Sequence, residues 1–362
     1  DDVAAAAPGV LGGVSNYREM ASRHPMDREW PSPEESFGGG EADGADRTRA
    51  FLKIQEGCDA FCTYCVIPYG RGPSRSLGID ALVSQVKDLV ARGVREVVLT
   101  GTNIGDYGSD WSGGKPELES LVEKLLGQTA LERLRISSLD PVEITPRLIE
   151  LMEADPRLCR HFHVSLQSPH SRILKLMKRK YAFEDVRECL ERIAAIGAFA
   201  GMDVITGFPG ETEEEFEWGF EALQSLPWSR LHVFPYSERK GTPATRLPGV
   251  VPRVDRVRRA ERLRALSFER LKQVYRRAGD ELAVSGQALE GVLLEKPIRG
   301  PDGTRRWVAG YSRGYLRTVI RMPEGAEESL ARNQVVAVKV TPSELVTEPD
   351  SGDVSFLGTL LV

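Results

Sequence analysis

Between residues 51 and 235 the spacing of apolar positions switches repeatedly between two periods. The runs FLKIQ (51–55), REVVLT (95–100), ERLRIS (132–137), HFHVSL (160–165), FAGMDVIT (199–206) and RLHVFP (230–235) are β-rich and read as six strands. Between and after them, 78–92, 117–127, 145–154, 170–178, 184–196 and 212–225 carry the helical period. Crossovers of this length join parallel neighbours, so the pattern predicts an α/β fold around a parallel sheet. Right-handed crossovers curl such a sheet into a partial or full barrel. A single long helix is predicted over 253–278, with Val257, Ala260, Leu263, Leu266, Leu271 and Val274 on one side. Beyond it ALEGVLLEKP, RWVAGYSRG, YLRTVIRM, VVAVKVT and FLGTLLV alternate between turn signals, as in a small antiparallel all-β barrel.

Composition narrows the setting. A chain of 362 residues suffices for two or three domains. The net charge of −5 gives no global basic field, and five cysteines, an odd number, do not make a disulfide framework. No run of 18 apolar residues is present, and the opening DDVAAAAPGVLGG lacks the basic residue of a signal peptide. A reducing, cytoplasmic location and no membrane partner are expected. Residues 1–48, with GGGEADGAD, read as a linker too broken to form a domain. The expected divisions are 1–48, a barrel over 49–250, a connecting basic helix over 251–280 and a β-barrel over 281–362.

Sites in parallel α/β folds form at the carboxyl ends of the strands. The first strand is followed by CDAFCTYC, which places Cys58, Cys62 and Cys65 at Cys-x-x-x-Cys-x-x-Cys spacing. A cubane cluster with a full protein ligand set takes four thiolates; three leave one iron open for substrate chemistry. A zinc site completed by a distant histidine stays open as an alternative. Gly101, Thr102 and Asn103 follow the second strand, Ser137 and Ser138 end the third, and Gln167 and Ser168 end the fourth. Gly207-Phe208-Pro209-Gly210-Glu211 follows the fifth, where the glycines serve either a bound ligand or a tight turn. Thr212 and Glu215 form a capping box, so ETEEEF reads mainly as a helix start. Cys159 and Cys189 read as small core residues, and His161 and His163 as packed or hydrogen-bonded.

Charge is unevenly placed. Between Arg253 and Arg277 stand ten Lys or Arg against three Asp or Glu, which predicts an anionic partner for that helix face, with Arg258, Arg259 and Arg262 as nucleic-acid contacts. Lys175, Lys178, Arg179 and Lys180 form a second basic cluster.

The cysteine spacing resembles the signature of radical S-adenosylmethionine (SAM) enzymes. CDAFCTYCVIPYGRG, LTGTNIGDYG, RISSLDP, LQS, MKRKY, DVITGFPGETEEEF and HVFPYSERKGTPA, in this order, are similar to the radical-SAM methylthiotransferase family. Within it, HVFPYS and MKRKY most resemble the branch acting on threonylcarbamoyl-adenosine beside the tRNA anticodon. The resemblance implies a partial (β/α)6 barrel followed by a TRAM barrel, and it implies a 4Fe–4S cluster on Cys58, Cys62 and Cys65. It further implies a SAM pocket of Tyr64, Gly101, Thr102, Asn103, Gln167, Arg179, Asp203 and Gly207, with Arg179 pairing with the SAM carboxylate. The implied reaction is reductive cleavage of SAM, hydrogen abstraction from carbon 2 of the adenine and insertion of a methylthio group. The implied partners are the tRNA anticodon stem-loop and a one-electron donor such as flavodoxin or ferredoxin. Sister branches act on isopentenyl-adenosine in tRNA or on a ribosomal-protein aspartate, and an RNA-binding module with a vestigial metal site is a further reading. Family members begin with a domain whose three cysteines hold an auxiliary 4Fe–4S cluster. This chain has no cysteine before Cys58, so 1–48 resembles the remnant of that domain, and SAM cleavage without methylthiolation is expected of the chain alone. Pro169 and His170 stand where the family pattern expects Gly and Ser.

Overall fold

Strand alternation, which sends neighbouring side chains to opposite faces, builds a sheet with one apolar and one polar face. The computed structural model describes residues 48–304, 306–322, 333–347 and 354–360, so the segment read as a linker lies, but for its last residue, outside the described residues. Six parallel strands follow in chain order: β1 (Arg49–Glu56), β3 (Glu96–Gly101), β4 (Arg133–Ile136), β6 (His161–Gln167), β7 (Phe199–Thr206) and β8 (Arg230–Pro235). Two short strands add to the six that the periodicity predicts. β2 (Arg75–Ser76) pairs antiparallel on the outer edge of β1, and β5 (Ser138–Leu139) leaves the line of β4 and pairs with β6. The array is thus two four-stranded sheets, β2-β1-β3-β4 and β5-β6-β7-β8, bridged at Leu134 and Leu158. With neighbours in chain order and a break in the middle, it is a partial barrel.

The outward rows are Leu52–Leu99–Ile136 and Val164–Met202–Leu231, each aligned by the strand registers. They pack under the helices α2 (Ile79–Ala91), α3 (Leu118–Gln128), α4 (Pro146–Ala154), α6 (Phe183–Ala195) and α7 (Glu213–Ser225) in one continuous core. Two shorter helices complete this part. α1 (Ile67–Arg71) directly follows the cysteine run, and α5 (Ser171–Leu176) follows β6.

The long helix α8 (Arg253–Ser285) runs further than its apolar stripe suggests and stops at Gly286, whose φ of 66° is the left-handed cap expected of glycine. The last strands, β9 (Leu289–Ile298), β10 (Trp307–Tyr311), β11 (Arg317–Arg321), β12 (Val335–Thr347) and β13 (Val354–Leu360), close into a barrel in the order β10-β11-β13-β12-β9. One pairing corrects the antiparallel expectation: β11 and β13 run parallel, with Thr318 beside Phe356. Leu271 and Tyr275 of α8 and Phe199 of β7 share the small barrel's core with Val292, Val308 and Phe356.

The small barrel sits against the amino end of the partial barrel. There Glu96 is fully buried and ion-paired to Arg49, Arg133 and Arg135 at 2.9, 2.6 and 3.0 Å. Burial alone would raise its carboxyl, but Arg135, Arg133 and Arg49 together bring it down to about 2. Arg133, also fully buried, donates to the carbonyls of Gly291, Tyr311 and Ser312 across the junction. Arg49 reaches Glu295 at 2.8 Å, and the His161 ring packs on Tyr315. The opposite, carboxyl end of the strands holds the cysteines. Among the described residues no helix is long and apolar enough to cross a membrane.

Candidate active site

Gly57 starts the cysteine loop because no other residue fits. Its φ is +77°, and a Cβ there would stand 1.9 Å from the Pro73 carbonyl oxygen. The Cys58 amide then donates to the Gly72 carbonyl at 3.0 Å, which folds the loop back over α1. Thr63 is the far anchor. Its amide donates to the Met177 carbonyl at 3.1 Å and its hydroxyl to the Leu176 carbonyl at 2.8 Å, which ties the loop to the end of α5. Each of the three sulfurs has its own N–H donor: Ala60 on Cys58 at 3.5 Å, Ile67 on Cys65 at 3.4 Å and Arg179 on Cys62 at 3.2 Å. Donors aimed at sulfur suit thiolates. As free thiols Cys58 and Cys65 are held protonated: burial pushes Cys58 up to about 12 and raises Cys65 as well. A coordinated metal removes that proton. Among the described residues no three His, Cys, Asp or Glu side chains converge on a single metal ion. Three sulfurs, each with its own N–H donor, suit a cluster that takes one thiolate per iron.

Gln55, which carries no signal in the sequence, is the hub beneath the loop. Fully buried, it donates through Nε2 to the Gly57 carbonyl at 2.7 Å and to the Ser74 hydroxyl at 2.8 Å. Its Oε1 accepts from the Thr102 and Asn103 amides at 3.0 and 2.9 Å. One amide side chain thus fixes the cysteine loop against the turn after β3. A Cβ on Gly101 would come within 2.7 Å of the Gln55 carbonyl oxygen, so that turn also requires its glycine. Beside it lie three carboxylates. Asp106 accepts from the Asn103 side chain at 2.7 Å, and Glu143 accepts from the Asp140 amide at 2.8 Å. Burial, then the neighbouring Asp140 carboxylate, pushes Glu143 up to about 7.

The structure brings Cys58, Cys62, Cys65, Tyr64, Arg179, Gln167 and the 101–103 turn together at one end of the barrel. Tyr64 packs edge-on against Phe208, in a cluster with Ile173, Met177 and Tyr236. Gln167 holds φ +63°, the left-handed region, at the end of β6. Other expected site residues have partners within the chain. The Arg179 fork, expected on the SAM carboxylate, donates to Asp140, to the Tyr181 hydroxyl at 2.9 Å and to Cys62. Asp203 lies mid-strand, four residues before Gly207, and pairs with His163 at 3.0 Å, so it belongs to the barrel lumen and not to the rim. At Gly207 a Cβ would meet the Arg256 side chain at 2.3 Å, so the glycine admits α8.

The basic face of α8 is partly engaged within the chain. Arg259 is 4 % exposed and pairs with Glu211 at 2.6 Å and Glu213 at 2.8 Å. Arg258 pairs with Glu213 and Asp255, and Arg262 with Glu217. The acidic run at the start of α7 is the partner of these arginines, in addition to forming the Thr212–Glu215 capping box that its sequence predicted. Glu211 also accepts from the Gly207 amide at 2.7 Å, so Arg259 braces the glycine turn. As expected, Cys159 and Cys189 are buried in the core. Exposed cations remain on α8, at Arg253, Arg264, Arg276 and Arg277, and others stand around the cysteine loop, at Lys175, Lys178 and Lys180, and in the loop after β8, at Arg239 and Lys240.

A parallel partial barrel with a three-cysteine loop at its carboxyl mouth defines the radical SAM class, and residues 52–221 match the Radical SAM superfamily. A threonylcarbamoyladenosine tRNA methylthiotransferase from Rickettsia prowazekii is 44 % identical over 234 residues, 64 % of this chain and 55 % of that protein. One from Bacillus subtilis is 37 % identical over 302 residues, 82 % of this chain and 63 % of that protein. A tRNA-2-methylthio-N(6)-dimethylallyladenosine synthase from Nitratidesulfovibrio vulgaris is 33 % identical over 308 residues, 84 % of this chain and 67 % of that protein. The chain belongs to the radical-SAM methylthiotransferase family. It spans somewhat more than half the length of the first two relatives.

Proposed function

We propose that this chain is the SAM-cleaving and RNA-docking part of a tRNA methylthiotransferase whose substrate is threonylcarbamoyladenosine beside the anticodon. The observation that carries the reading is the cysteine loop, with three sulfurs, each under an N–H donor, at the carboxyl mouth of the barrel. In this reading 49–250 is the catalytic unit, 251–280 the connecting helix and 281–362 a TRAM barrel. A 4Fe–4S cluster on Cys58, Cys62 and Cys65, when bound, supplies the electron that cleaves SAM; a flavodoxin- or ferredoxin-type protein delivers it. A reducing cytoplasm suits both.

The chain's own residues bind and orient. The amides of Thr102 and Asn103 are used by Gln55, so the turn offers carbonyl acceptors, which suit the ammonium of SAM. Arg179 acts through other groups: it holds Cys62 and Asp140 in place. Tyr64 and Phe208 give the mouth an apolar wall that keeps water from the site. RNA phosphates meet the exposed rim at Lys175, Lys178, Lys180, Arg239 and Lys240.

Anaerobic reconstitution tests the reading. Iron and sulfide are expected to approach about four each per chain, as a single cubane requires, and dithionite with SAM is expected to release 5′-deoxyadenosine. Cys62→Ser is expected to abolish both. Stoichiometric zinc without sulfide would overturn the assignment.

A further inference from the structure

The inward row of the partial barrel is polar halfway down, and nothing in the core requires it to be. On β1, β3, β6, β7 and β8 the outward positions fill the apolar core. The inward ones at mid-depth include Lys53, Thr100, His163, Asp203 and His232, none of them fully buried. Within each of the two sheets the registers set them side by side. Lys53 stands beside Thr100, Asp203 beside His232, and His163 beside Gly201, whose missing side chain leaves room. His163 Nε2 lies 3.0 Å from Asp203 Oδ2, and its ring is 5.2 Å from that of His232. Near the rim, two residues beyond His232 on the same face, Phe234 leaves its ring 52 % exposed, unlike the apolar side chains that close the core. The lower end of this lumen is shut by Arg133, Arg135 and the small barrel.

The geometry points to a reader for the substituent on the modified adenine: Phe234 stacks on the base, and His163, Asp203 and His232 bind the polar threonylcarbamoyl arm below it. This inference rests on the tRNA reading above. The depth is right. His163 lies four residues and Asp203 three residues from the carboxyl end of its strand, roughly 10–13 Å down at the usual rise. The arm is about as long as two extended residues, roughly 7 Å, and the base itself spans the remainder. The chemistry also matches. The arm carries a ureido group, a hydroxyl and a carboxylate, which need donors and acceptors together with a cation. His163, Asp203 and His232 supply the donors and acceptors, and Lys53, which pairs with Glu56 at 3.6 Å, is the cation on the other sheet. An apolar dimethylallyl arm in the same place would desolvate the His163–Asp203 pair and return nothing, and sites built on buried polar groups reject such analogues strongly.

Binding of anticodon stem-loops that differ only at the adenine tests this without turnover. The three RNAs carry adenosine, threonylcarbamoyladenosine or dimethylallyladenosine. The parent chain is expected to prefer the threonylcarbamoyl RNA at least tenfold over the other two. His163→Leu with Asp203→Leu is expected to bring all three within about twofold, with affinity for the unmodified RNA unchanged. The near-isosteric Asp203→Asn, which guards against a fold defect, is expected to reduce the preference by at least threefold. Phe234→Ala is expected to weaken all three about tenfold, the usual worth of one stacked base. A parent that binds all three RNAs equally, or an Asp203→Asn variant that keeps the full preference, overturns the reader and leaves the tRNA reading standing. A parent that binds none of them overturns both.

Discussion

Glu143 shows how position sets the charge of a single side chain. Its carboxyl is buried against the backbone of Gly105 and Asp140, beside the Asp140 and Asp106 carboxylates and near Arg179. Its affinity for a proton rises from the ordinary 4.5 to about 7. Between those values the folded state keeps a proton that the unfolded state has released, so stability falls as pH rises through that window and levels off above it. Two to three pH units of separation correspond to a loss on the order of 3 kcal/mol. Glu143→Gln keeps the acceptor for the Asp140 amide and removes the titration. Melting temperatures of the metal-free chain at pH 5 and pH 8 check this: the parent should lose stability relative to the variant on going up. Parallel profiles would place the proton elsewhere. Legibility at this scale was uneven. Three clustered cysteines announce themselves because thiols are rare and reactive. A glutamine such as Gln55 looks like any polar strand residue until the fold turns it inward beneath two loops.

At the scale of elements, helix α8 uses part of its charge to pair within the chain. A net surplus of basic residues along its sequence suggests an RNA-facing stripe, yet Arg256 and Arg259 are buried clasps and Arg258 and Arg262 answer carboxylates of α7 and α8. Replacing Arg258 and Arg262 with Glu should therefore leave RNA affinity within about twofold. Arg259→Ala should cost about 3–5 kcal/mol, because it strands Glu211 without its partner. Replacing Lys175, Lys178 and Lys180 with Glu should weaken RNA binding and lower the salt slope by roughly one unit for each phosphate no longer neutralised. Affinities measured over a salt series decide between the two surfaces, and a larger loss in the α8 variant would restore the helix as the interface. The helix itself was legible from its period. Its partners were not, because the acidic and basic runs are separated in sequence and meet only when α8 packs across α7.

For the whole molecule, the decisive feature is the junction between the two barrels. Arg133 links Glu96 at the floor of one to three carbonyls of the other, all out of water. Removing the guanidinium leaves Glu96 with two partners and takes a donor from each of the three carbonyls, so Arg133→Ala should destabilise the chain by about 3–5 kcal/mol. It should also expose the chain just after Gly286 to protease before the rest unfolds. Thermal melting with limited proteolysis checks both. An unchanged cleavage pattern would mean that the core shared by Leu271, Tyr275 and Phe356 holds the small barrel by itself.

The sequence determined what depends on local period and on rare residues: six βα units, a long helix, a run of short strands and a three-thiolate loop at a strand end. Hydrophobic spacing reports burial one element at a time, and cysteine spacing survives any rearrangement of the rest. The tertiary structure alone decided what depends on elements distant in sequence. It brought arginines of α8 to the carboxylates of α7, gave Gln55 and Arg179 their positioning roles, and set Asp203 down in the lumen beside His163. It also seated the small barrel beneath the larger one. Each of these turns on the partner a polar group finds, and a linear pattern does not record partners.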